Sequence, residues 1–174
     1  MTDNVTSEKK GHLAGIGRHG EHPYGDLGQL ILLVGFLVIW ILDSFVFGYT
    51  TFLSPHVPAY LRLIFAGLIL GLAIYLMRSG HRAISDEILS SPRLLTDGAF
   101  SRVRHPLYAA ALLFFIFLIV LTLSLVSLFV FVGIFIFYDY IAAYEEKFLA
   151  KKFGQEYRSY KKRTPKWIPR LKKK

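Results

Sequence analysis

The 174 residues include no cysteine, and that one absence removes disulfide frameworks, thiolate metal sites, cysteine nucleophiles and a prenylation box together. Charge is also scarce. Only 19% of residues are Asp, Glu, Lys or Arg against 53% hydrophobic, a balance too apolar for an ordinary soluble domain. Acids are the scarcer sign, 12 against 21 Lys and Arg, which leaves a formal net charge of +9. An excess of that size often marks a nucleic-acid module. Here, however, the apolar residues come in long blocks almost free of charge rather than interleaved with basic ones, so the bilayer is the expected partner and nucleic acid is not. The same blocks exclude disorder and collagen. The first 26 residues hold no apolar run, so no signal peptide is expected and this stretch reads as a flexible cytoplasmic leader. Its His12, His19 and His22 lack an accompanying ligand set, and no metal site is expected. Dinucleotide, P-loop and serine-hydrolase signatures are missing too.

What is present is enough for four membrane helices, since about 20 apolar residues cross about 30 Å of hydrocarbon. The first covers about 27–47 and the second about 60–77, joined by a short reversal holding Pro55 and Pro58. The run 109–138 is 30 residues without a charge, about 45 Å as one helix and too long for a single span. It reads as a tight hairpin turning near Thr122, Ser124 and Ser127, with helices at about 105–121 and 124–144. The fold class is therefore an all-α polytopic helix bundle, forming one membrane domain over 27–174 with a cytoplasmic tail from 145. Five arginines fall in the loop 78–104 and twelve basic residues in the tail, while the other two loops carry none apart from Arg62 at a helix edge. The positive-inside rule then puts both termini and the middle loop in the cytoplasm, where the excess charge also attracts anionic headgroups.

Chemistry is expected where the minority acids meet that side. Pro106 stands where the third helix should start, the position at which a missing amide hydrogen costs least. Arg104, His105 and Tyr108 surround it. The plain alternative gives Arg104 to lipid phosphate, His105 to helix capping and Tyr108 to an interfacial aromatic belt. Against that, the fourth helix leaves the membrane through Asp139, Tyr144, Glu145 and Glu146, and adjacent carboxylates at a membrane boundary need cationic partners. Asp139 and Glu146 lie seven apart on one face, with Ala142 and Ala143 leaving room between them. Hairpin helices lie side by side, so the two clusters should meet at one height. Beyond them, Leu149, Phe153, Tyr157 and Tyr160 recur at helical steps among lysines, the pattern of an amphipathic helix on the inner leaflet. Arg163 stands apart just before Thr164 and Pro165. Asp43 is an intramembrane acid, expected to be a water-exposed boundary residue at the outer end of the first helix.

Residues 98–108, GAFSRVRHPLY, resemble the G-P-Y-x-x-x-R-H-P-x-Y motif of the isoprenylcysteine carboxyl methyltransferase family, and EEKFLAKKFGQEYRSYKKRTPKWIP resembles that family's ending. The resemblance covers about 94–169. It implies an integral membrane methyltransferase using S-adenosylmethionine, with cofactor contacts at Leu94, Leu95, Phe100, His105, Pro106, Leu107, Tyr108 and Glu145, together with the Gly98 that opens the motif. Phospholipid N-methyltransferases look related and use paired glutamates, which adds Glu146. Two departures concern the substrate. Ala99 and Phe100 replace Pro and Tyr of the motif, and Ile141 stands where the eukaryotic carboxyl methyltransferases place an arginine for the substrate carboxylate. Arg163, Arg104 and Asp139 are the remaining substrate-side candidates.

The expected reaction is methyl transfer to a lipophilic acceptor drawn from the membrane lipids or lipid-modified molecules, by resemblance an isoprenylcysteine-type carboxylate. Such transfer is an in-line displacement, governed by alignment and exclusion of water. A carboxylate needs no base, whereas an amine or hydroxyl would look to Glu146, Asp139 or Tyr108. Three other readings remain: a phospholipid amine N-methyltransferase, an NADPH-dependent reductase of the sterol reductase type, whose R-H-P-x-Y region is similar, and a non-catalytic scaffold.

Overall fold

The computed structural model describes residues 25–88 and 93–169; the histidines of the leader lie outside the described residues. All regular structure among the described residues is helical, in four main helices. Helix α1, Gly25–Ile41, is followed by a π-helical turn, Leu42–Phe47. It stops at Gly48, whose φ of 67° is the left-handed conformation glycine adopts without penalty. A 3-10 turn at Ser54–His56 leads to α2, Ala59–Ile88. A second such turn at Gly98–Ser101 precedes α3, Pro106–Thr122, and α4 is Leu125–Arg163.

Three of these helices are long and apolar enough to cross a membrane, and α3 is a shorter apolar helix of 17 residues. Hydropathy places the end of the second span near Met77, but α2 runs on through Arg78 and Arg82 to Ile88. Nothing in that segment breaks a helix except Gly80, and Gly80 has a use. A Cβ there would lie 2.8 Å from the Leu107 side chain, so its absence lets α2 approach the start of α3. Ala109 and Ala110 are buried beside Leu76 on the same interface, the small-residue contact by which apolar helices associate in lipid. A second core joins α1, α3 and α4 through Phe36, Phe115, Ile134 and Tyr138.

The chain reverses between α3 and α4 at Leu123, φ 53°, and Ser124, whose Oγ accepts from the Ser127 amide at 3.1 Å and caps α4. Asp43 meets this turn. It is 7% exposed, not the water-facing residue its depth suggested. Its carboxylate accepts from the Thr50 hydroxyl (2.6 Å), the Thr50 amide (3.1 Å) and the Ser124 hydroxyl (2.6 Å), tying the end of α1 to the hairpin. Trp40 Nε1 donates to Leu118 O and Thr122 Oγ1, both at 3.0 Å, on the same side. These bonds close the end of the bundle opposite the candidate site.

Helix α4 covers 39 residues as two helical stretches that meet at Gly154. Its apolar part ends near Tyr144, and the helix continues to Gly154, where φ 52°, ψ −122° breaks its direction. The amphipathic stripe beyond needs a correction. Tyr157 and Tyr160, 1% and 4% exposed, pack with Leu149 and Phe153 against Leu94. The loop carrying Leu94 thus covers the part of the stripe that holds Tyr157 and Tyr160.

Candidate active site

The start of α3, the middle of α4 and the segment after α4 converge at one end of the bundle. Arg104 is the central tie. Its Nε and Nη2 donate to Glu146 Oε1 at 2.9 and 2.8 Å, and its Nη1 donates to the carbonyls of Thr164 (2.8 Å) and Lys161 (3.2 Å). Its amide donates to Pro165 O at 2.9 Å. Lys161 Nζ reaches Glu146 Oε2 at 2.7 Å. Arg104 and Glu146 side chains are only 11% and 6% exposed, so this is a buried pair whose remaining lone pairs and N–H groups are well used. The lipid phosphate that sequence offered Arg104 is replaced by a carboxylate of α4.

His105, 7% exposed, sits between the two glutamates, with Nε2 3.3 Å from Glu146 Oε1 and Nδ1 3.6 Å from Glu145 Oε2. Burial is the largest influence on the imidazole and pushes its pKa down. Glu146 pulls it up, Lys166 and Arg104 push it down further, and the net shift is downward. Neutral imidazole is therefore favoured at pH 7. For Glu146, burial works to raise the pKa, but the hydrogen bonds from His105, Lys161 and Arg104 outweigh it and keep the carboxylate ionised. Tyr108, stacked on His105 at 5.7 Å between ring centroids, donates its hydroxyl to Glu145 Oε1.

Beside this cluster is a cavity of about 150 Å³. Of the cofactor residues expected from sequence, Leu94, Leu95, Phe100 and His105 line it, joined by Arg104. Tyr108, Glu145 and Glu146 lie just behind His105. The others are placed elsewhere: Pro106 is buried at the first position of α3, Leu107 packs against Gly80, and Gly98 lines a separate cavity toward α2. Arg163 is exposed at the last residue of α4. Asp139 accepts from Trp167 Nε1 (2.9 Å) and pairs with Lys166, so it anchors the segment after α4. Ile141 is 1% exposed within the bundle.

Sequence reasoning missed the rest of the wall, which is Arg93, Leu149, Lys152, Phe153, Tyr157 and Tyr160. The signal was the stripe itself, in which two tyrosines stand where a purely lipid-facing helix could use leucine. Tyr160 donates to Phe100 O at 2.7 Å, whereas the buried Tyr157 hydroxyl has no hydrogen-bond partner among the described residues. Trp167 was also missed. It packs on Phe135 at 5.8 Å and His105 at 6.0 Å between centroids, closing the cluster from the side of the helices.

The sequence model of the phospholipid methyltransferase family matches residues 57–156. The matched region contains α2, α3, the Arg104 to Tyr108 cluster and both glutamates. No curated protein matches the chain.

Proposed function

The chain belongs to the phospholipid methyltransferase family, and from that premise we propose that it transfers a methyl group from S-adenosylmethionine to a lipid acceptor at the cytoplasmic face of a membrane. The family match across the His105 and Glu145 cluster carries the reading. It favours methyl transfer over the reductase and scaffold alternatives, and the arginine-rich segments support the cytoplasmic placement.

The residues fit the cofactor in kind. Phe100, Leu149 and Phe153 offer flat and apolar walls for a purine, Lys152 and Arg93 offer cations for a carboxylate, and the Tyr157 hydroxyl is a buried group awaiting a partner. The cavity of about 150 Å³ is smaller than the roughly 300–1,000 Å³ of small-molecule sites. Binding must therefore widen it, and the loop carrying Leu94 and Leu95 is the wall that lies between two cavities. The cofactor, when bound, supplies an electrophilic methyl group.

We assign the acceptor as an amine of a phospholipid headgroup in preference to a prenylcysteine carboxylate. Ile141 brings no cation, and the Arg104 guanidinium is already engaged by Glu146 and two carbonyls. An ammonium must lose its proton before it attacks. Glu146 is a poor base because three donors stabilise its charge, and Asp139 is held by Lys166 and Trp167. The Tyr108 and Glu145 pair is left as the route for that proton, with neutral His105 stacked beside it.

Titration calorimetry with S-adenosylhomocysteine tests the cofactor half, and saturable binding is expected. Its absence would sink the methyltransferase reading. Methyl-labelled cofactor supplied with lipid extracts tests the acceptor: a base-stable labelled product is expected of an amine, and base-labile label would return the assignment to an ester.

A further inference from the structure

On the other side of the 93–98 loop lies a second cavity, of about 590 Å³. Gly71, Ile74 and Tyr75 of α2 line one part of it, within the apolar span, and Arg78, Arg82 and Arg93 line another. Arg78 and Arg82 are one helical turn apart on the same face of α2, and Arg93 comes from the loop. Among the described residues that line it, one carboxylate is present, Asp97, whose Oδ2 is 3.7 Å from Arg93 Nη2 with both side chains more than half exposed. Among the described lining residues, three cations stand against one anion. The apolar part is open as well: a Cβ on Gly71 would meet nothing within 4 Å, and Ile74 and Tyr75 are 44% and 46% exposed.

Going from Gly71 to Arg78 climbs about 10 Å along α2, from hydrocarbon depth to the charged end of the span. A ligand matching that gradient is anionic at one end and aliphatic at the other. Guanidinium groups engage phosphate oxygens through paired N–H donors, and basic clusters next to a span draw anionic headgroups. We propose that this cavity seats the phosphate of a membrane lipid, with Arg78, Arg82 and Arg93 on the phosphate and the first acyl carbons along Gly71, Ile74 and Tyr75. The free ion is not the intended occupant, because it would leave that apolar lining unused. Arg93 and Leu95 also line the smaller cavity, so a lipid held here carries its headgroup to the wall the two cavities share. The inference requires membrane placement but not methyl transfer.

The test uses the full chain purified in detergent without cofactor, titrated with dioleoyl phosphatidic acid, with dioleoylglycerol, which has the same chains and no phosphate, and with inorganic phosphate. Phosphatidic acid should bind at least about tenfold more tightly than either of the others, and the Arg78→Gln, Arg82→Gln double variant should lose about tenfold of that affinity. Arg102→Gln, which removes one positive charge at an exposed residue outside the cavity lining, should lose none. Gly71→Leu, which fills the apolar part and keeps every charge, should weaken phosphatidic acid while leaving inorganic phosphate unchanged. Size exclusion and helical circular dichroism confirm that each variant is folded. Equal binding of phosphatidic acid and dioleoylglycerol overturns the proposal, as does an equal loss in Arg102→Gln or no loss in the double variant. Inorganic phosphate binding as tightly as the lipid overturns the lipid assignment. None of these readouts depends on cofactor binding, so the methyltransferase reading stands or falls separately.

Discussion

Replacing Glu146 with alanine removes one carboxylate that joins α4, the start of α3 and the segment after α4. Its bond to Lys161 contributes little, because that lysine is 50% exposed and exposed pairs contribute about 0–1 kcal/mol. Arg104 decides the magnitude. Its side chain is 11% exposed, and removing one partner of a buried pair costs about 3–5 kcal/mol through the charge left behind. Arg104 keeps the carbonyls of Lys161 and Thr164 as acceptors, which places the expected loss at the low end, about 3 kcal/mol. For a chain of this length that corresponds to a fall of about 6–12 °C in Tm, measured by thermal shift in detergent without cofactor. Limited proteolysis should also show faster cleavage after residue 163 once the segment loses its anchor. The Arg104→Ala, Glu146→Ala double variant should lose much less than the sum of the singles, with a coupling of about 1.5 kcal/mol or more. A change in Tm under about 2 °C for Glu146→Ala, or additive singles, would refute the reasoning and return Glu146 to a role without structural weight.

Tyr157→Phe deletes a buried hydroxyl that has no partner among the described residues, so Tm should hold or rise slightly while S-adenosylhomocysteine affinity falls about tenfold; unchanged affinity in calorimetry would remove this hydroxyl from the cofactor site. Asp43→Ala leaves the buried Ser124 hydroxyl and the Thr50 amide without their acceptor, at a cost of about 3 kcal/mol; thermal shift should show it with cofactor affinity unaltered, because the network lies at the opposite end of the bundle. His105 has a lowered pKa, so the unfolded chain takes up its proton near the ordinary 6.5 while the folded chain resists. The sign is a loss of stability as pH falls through that value and no contribution above it; Tm should drop between pH 7.5 and 5.5, and His105→Gln should flatten that drop. Glu145→Gln should reduce the rate of methyl transfer to an amine acceptor by about a hundredfold with Tm nearly unchanged; an undiminished rate in the labelled-lipid assay would take Glu145 out of the proton route.

The membrane helices are legible in the sequence because hydropathy is a property of whole windows and survives ignorance of every contact. Helix ends are not. Residues 78–88 carry arginine and histidine and do not read as apolar, yet they extend α2 because helix continuation needs only the absence of a breaker. The stripe of Leu149, Phe153, Tyr157 and Tyr160 shows a related limit. Its 3.6-residue period announces a buried face but does not say what buries it, and Leu94 lies more than fifty residues away. Asp43 was misjudged for the same reason, since its depth could be estimated but its partner Ser124, 81 residues on, could not. At the site, residue types identified Arg104, His105, Tyr108, Glu145 and Glu146 as a meeting point. Which of them pair is set by side-chain direction, and the motif reading treated residues of opposite direction as one group.

The two glutamates show why that matters. Neighbours on a helix point about 100° apart, so adjacent acids at a membrane boundary need not share an environment even though sequence presents them as a unit. Glu146 turns toward Arg104, Lys161 and His105 and is stabilised as a fixed negative charge. Glu145 turns toward the Tyr108 hydroxyl and the other nitrogen of His105. A fixed charge can hold a structure together but is a poor proton acceptor, whereas a carboxylate bonded to a phenol shares a hydrogen bond along which a proton can move. The arrangement therefore divides the labour: Glu146 secures the segment after α4 so that Trp167 can lie against His105, and the surface so formed holds Tyr108 and Glu145 in register. The excess of basic residues gives two of its members, Arg104 and Lys161, to one acid, while the adjacent acid takes the Tyr108 hydroxyl.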